Sequence, residues 1–154
     1  MKNTFFLFLA TLVIVSCSDV QSNYPAFQAD VDNVFFRSDI TTVNYFSESD
    51  YFIIEGKSGS ETIKLSVKNS VTGIPLNFGI DSENVATFEK ASGVIYTTVS
   101  EIGSGKLIFS EIDESERTVS GNFNFTAITS GLDTLTVSSG VFYKVSYNDG
   151  VEED

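Results

Sequence analysis

The chain has 154 residues with 21 acidic against 9 basic side chains, a net charge of −12, no histidine, no tryptophan and one cysteine. A surface of that sign repels nucleic acid and anionic headgroups. The absence of histidine removes Ser-His-Asp and Cys-His mechanisms, the usual zinc sites and the commonest general base.

The first element is an export signal over residues 1–16. Lys2 and the terminal amine form a positive start, and Phe5 to Val15 is apolar apart from the small Ala10 and Thr11. Those eleven positions would reach about 17 Å as a helix, well short of a hydrocarbon core of about 30 Å. The pattern is therefore that of a signal-peptide core and not of a membrane span. It runs directly into Ile14-Val15-Ser16-Cys17, which resembles a bacterial lipobox. That resemblance implies cleavage before Cys17 and a diacylglycerol on its thiol. Two or more acyl chains anchor a protein stably where one does so only marginally, so the expected location is the cell envelope, on the outer membrane, with the membrane as a partner through Cys17. Cleavage removes Lys2 and no acid, leaving 8 basic and 21 acidic side chains and a net charge of −13. With Cys17 lipidated no disulfide can form, and stability has to come from packing.

Residues 17–25, the lipidated cysteine and the polar "SDVQSNYP" after it, read as a tether. As a flexible coil it would reach roughly 15 to 17 Å. Residues 26–148 form one domain in which β-rich runs alternate with turn clusters every eight to twelve residues, the spacing of an all-β sandwich or barrel. The expected turns include Asp32-Asn33, Glu48 to Asp50, Gly56 to Ser60, Asn69-Ser70, Asp81 to Asn84, Ser92-Gly93, Gly103 to Gly105, Asp113 to Glu116, Gly131 to Asp133 and Ser139-Gly140. Residues 149–154 close the chain as a frayed acidic tail.

Alternation assigns faces. Ile63, Leu65 and Val67 share one side of their run, opposite Thr62, Lys64, Ser66 and Lys68. Phe123, Phe125 and Ala127 share another, opposite Asn122, Asn124 and Thr126. One dry and one wet side indicates antiparallel sheet. "YFIIE" and "KLIF" are apolar on both sides and belong inside a sheet or under a loop. Phe88, Leu107, Phe109 and Phe142 add further bulk, so the interior is expected to be packed by side chains with no ligand cavity. The fold expected is a single antiparallel β-sandwich or a partly open up-and-down β-barrel built from hairpins.

"FQADVDNVFF" at 27–36, "IKLSV" at 63–67, "ATFEK" at 86–90, "GSGKLIFSEIDESERTVSGNFNFTA" at 103–127 and "GVFYKVSY" at 140–147 follow in that order. With the lipobox they resemble a family of small uncharacterised Bacteroidota lipoproteins of unknown function. The resemblance spans the whole mature domain and is most specific at Ser120-Gly121-x-Phe123-x-Phe125-x-Ala127. It implies an exported all-β lipoprotein and brings no catalytic residues, no cofactor and no metal. Asn33 stands where such proteins often carry Gly, and Asn tolerates the left-handed conformation of a tight hairpin.

Chemistry by carboxylates alone is the remaining enzymatic route. Asp30 and Asp32 alternate along one strand face, and Asp113, Glu114 and Glu116 crowd one turn, without calcium-loop spacing. A solvated face is the expected role of both groups. Tyr24, Tyr45, Tyr51, Tyr96, Tyr143 and Tyr147 are candidates for stacking on sugar rings, but strands favour Tyr for packing. The function expected is a non-catalytic binding or envelope-interaction module, with no nucleic-acid partner and an envelope protein or glycan as ligand. The alternatives are a carboxylate-based glycan hydrolase and a structural subunit of an envelope complex.

Overall fold

The alternation read from the sequence becomes burial in space. The computed structural model describes residues 25–151, and the leader, the lipobox with Cys17, Tyr24 and the last residues lie outside them. The strands are β1 (Ala26–Val31), β2 (Val34–Arg37), β3 (Ile40–Phe46), β4 (Tyr51–Ser58), β5 (Glu61–Lys68), β6 (Leu76–Phe78), β7 (Val85–Glu89), β8 (Ile95–Thr97), β9 (Ser104–Asp113), β10 (Thr118–Ile128), β11 (Thr134–Ser146) and β12 (Asn148–Asp149). The described residues form no helix.

All twelve strands belong to one sheet, ordered β12-β3-β4-β5-β7-β8-β10-β11-β1-β2, with β9 pairing β10 and β6 pairing β9 as a branch. The path has two free ends and does not close into a barrel. Hairpins account for most neighbours, and the longest ladders join β10 to β9 and β11. One pairing departs from the antiparallel pattern: β12 lies parallel to β3, Asn148 opposite Asn44 and Asp149 opposite Tyr45.

The curled sheet encloses a single core. Ile63, Leu65 and Val67 are buried in it together, as are Phe123, Phe125 and Ala127. Phe88, Leu107, Phe109 and Phe142 join them. Ring meets ring across the interior: Phe27 and Phe123 at 5.2 Å, Phe52 and Phe109 at 5.3 Å, Phe109 and Phe142 at 5.7 Å. Such pairs contribute about 0.5 to 1.5 kcal/mol each beyond their area. β4, apolar on both faces, runs between β3 and β5, and β9 between β6 and β10, as their composition required.

Turn chemistry fits at Asp32-Asn33, whose φ values of 48° and 65° are both left-handed, as a two-residue hairpin needs. Three expected turns are strand in whole or in part. Gly56 to Ser58 continue β4, and the turn is Gly59-Ser60. Ser104 and Gly105 open β9, where Gly105 has φ 151° and its α-carbon passes so close to β10 that a Cβ would stand 2.3 Å from the Asn124 carbonyl oxygen. Ser139-Gly140 lies inside β11 as a bulge, with Ser139 at φ 51° and the register to β10 shifting between Phe123 and Phe125. A bulge uses the same small, polar residues as a turn but bends the strand without reversing it. The acidic tail is likewise not free from its start: Asp149 pairs with β3, and the Gly150 amide donates to the Tyr45 carbonyl at 2.8 Å.

Candidate functional site

Strand direction brings four separate segments to one end of the domain. The β3–β4 hairpin contributes Tyr45, Asp50 and Phe52, and the loop after β5 contributes Ser70, Val71 and Thr72. The β9–β10 hairpin adds Ile112, Glu114 and Arg117, and the chain leaving β11 adds Tyr147 and Asp149. Together they line an open cleft of about 820 Å³, within the size range of ligand sites.

The floor is aromatic. Tyr45 stacks on Phe52 at 4.4 Å, and Tyr147 stands edge-on to both, at 5.9 Å and 5.6 Å. Phe52 and Tyr147 are core residues at 1% and 7% exposure, so they support the floor and Tyr45 is the half-buried ring at its surface.

The rim is polar and ordered. The Asp50 carboxylate accepts from the Tyr45 hydroxyl at 3.3 Å and from Ser70 Oγ at 2.8 Å. Arg117 donates to Asp149 at 2.8 Å while lying 4.9 Å over the Tyr147 ring. Burial first, and then the negative charge and hydrogen bond of Asp50, hold the Tyr45 hydroxyl above its ordinary pKa, with further upward pressure from Tyr147 and Glu114. The bond to Asp149 raises Arg117 as well. One cation faces three carboxylates here, so the potential in the cleft is negative.

The residues singled out from sequence divide between structure and cleft. Asp32 is occupied: its carboxylate accepts from the Thr136 amide at 2.9 Å, and its own amide donates to the Thr136 carbonyl at 2.9 Å. Asp30 lies in β1 opposite Ser138, while Asp32 belongs to the turn, so the two do not share a strand face. Asp113 closes its own turn by accepting from the Ser115 amide, the Ser115 hydroxyl and the Glu116 amide at 2.9, 2.6 and 2.9 Å. Only Glu114 of that acidic turn reaches the cleft. No group of three or more potential metal ligands exists among the described residues.

Of the described tyrosines, Tyr45 and Tyr147 meet in the cleft and the others do not. Tyr96 is buried, accepting from Lys90 at 2.7 Å and donating to Asp133 at 2.5 Å, a clamp between the β7–β8 and β10–β11 turns. Tyr51 packs on Phe46, and Tyr143 lies at the surface with the Lys144 ammonium 5.8 Å from its ring centre. Sequence reasoning missed Asp50, Ser70, Arg117 and Asp149 as a set. Each sits in or beside a turn with unremarkable neighbours, and only the pairing of distant hairpins unites them.

No curated protein and no solved structure matches the chain. Residues 23–146, which span β1 to β11, match the family described as a domain of unknown function, DUF6252, and the chain belongs to that family.

Proposed function

We propose that this protein is a lipid-anchored component of the bacterial cell envelope, on the outer membrane of a Bacteroidota cell, whose β-domain is a non-catalytic binding module working through the cleft. The lipobox ending at Cys17 supports the anchor. The observation that carries the binding role is the cleft itself: four loops converge on one aromatic floor with an ordered polar rim. Loops held on a rigid sheet are the usual place for recognition. Two of its three carboxylates are fixed in place, Asp50 by two hydroxyls and Asp149 by Arg117, so the rim presents an ordered surface to a partner.

Because the cleft is negative, anionic headgroups are poor ligands for it, and another envelope component is the partner.

The test is cross-linking in intact cells from a photoreactive residue placed at Val71 on the rim, with Leu132 at the opposite end as control. Both are exposed, at 55% and 79%. A discrete adduct from Val71 and none from Leu132 is the expected outcome. Adducts only from Leu132, or none from either, would contradict a binding role for the cleft.

A further inference from the structure

Resting on that binding role, we propose that the cleft receives a basic side chain, a lysine ammonium or arginine guanidinium, presented on the surface of a partner protein. The chain already fills one such seat for itself. Arg117 lies over the Tyr147 ring and against Asp149, combining a cation–π contact with a charged hydrogen bond.

Beside it, 5.9 Å ring to ring, Tyr45 and Asp50 repeat the combination of a phenol ring and a carboxylate. Among the described residues no cation occupies that second seat, and neither Asp50 nor Glu114 forms an ion pair. The Tyr45 hydroxyl and Ser70 orient Asp50 by donating to the same oxygen, Oδ1.

The surroundings suit a protein more than a small free amine. Val71 on the rim and Ile74 further along the same loop are both more than half exposed, and a lysine or arginine stem packs on apolar surface while its head meets charge. Apolar area around a specific polar contact is the usual composition of a protein interface. The sign of the whole molecule acts in the same direction, since a net charge of −12 steers basic partners toward it.

The probe is a fluorescein-labelled tetra-lysine peptide, titrated by anisotropy against the full-length chain in neutral detergent. The same peptide with its side chains acetylated serves as the uncharged counterpart. Glu114→Gln and Asp50→Asn should each weaken binding about two- to fivefold, and the pair together about tenfold. Glu101→Gln removes the same charge from the loop before β9 and should leave affinity unchanged. Acetylation should abolish binding. Glu114 takes no hydrogen bond among the described residues, so its variant reports on charge without disturbing a fold contact.

Equal loss in Glu101→Gln, binding that survives acetylation, or no binding of the tetra-lysine peptide would each overturn the assignment of a basic side chain. A Val71 adduct to a partner, obtained alongside any of these, would leave the binding role standing and remove only the ligand class.

Discussion

Gly56 of β4 lies beneath the ring of Phe27 in β1, so close that a Cβ at Gly56 would stand 2.5 Å from Cδ1 and 2.7 Å from Cε1. The contact joins the two halves of the curled sheet, because β1 and β4 are far apart in the ladder order. Phe27 in turn packs on Phe36 and Phe123, so it has little freedom to move aside.

Gly56→Ala is accordingly expected to destabilise the domain by about 1 to 3 kcal/mol, the usual cost of overpacking a filled core. Urea denaturation of the variant beside the wild type checks this. An unchanged midpoint would mean that the two halves are not held together at this point.

Phe125→Ala tests the packed interior from the other side. Phe125 is buried against Phe78 and Phe123, and truncating such a ring should cost about 3 to 5 kcal/mol. A loss below about 1 kcal/mol would indicate that the surroundings can collapse into the space or that the ring borders a cavity.

The Asp113 turn gives a pH signature. Hydrogen bonds from Ser115 first, then from the Glu116 amide, hold its carboxyl below the ordinary range. A folded pKa below the unfolded one contributes stability that is present above the unfolded value and is lost as pH falls through the folded one. Stability should therefore decline as pH drops below about 4, and Asp113→Asn should make that decline shallower in thermal melts. An identical acid limb in both proteins would show that the turn does not contribute.

For the anchor, the wild type should label with radiolabelled palmitate and partition into detergent, and Cys17→Ser should yield an uncleaved or soluble product without label. Equal membrane retention of the two would remove the lipoprotein reading.

How much of this was legible in the sequence depends on the range of the interaction. Period-two alternation is local, and it placed Ile63, Leu65, Val67, Phe123, Phe125 and Ala127 in the core that now contains them. Small residues were harder, because Gly and Ser mark turns, bulges and close approaches alike. At Ser139-Gly140 and Gly105 only the neighbouring strand decides among the three. The cleft was not legible at all. Tyr45 and Tyr147 lie a hundred residues apart, and their meeting depends on β12 folding back along β3. Asp32 failed as half of a carboxylate pair for a related reason: its partner, the Thr136 amide, is equally distant in the chain.

On the proposed function, the cleft end of the domain is covered by a partner in the cell. Hydroxyl-radical footprinting of intact cells, compared with the purified protein in detergent, measures this residue by residue. Protection is expected in cells at Tyr45, Val71 and Ile112 around the cleft, with Leu132 and Val99 at the other end reacting equally in both. Equal reactivity at the cleft in cells and in solution, or protection confined to Leu132 and Val99, would contradict it.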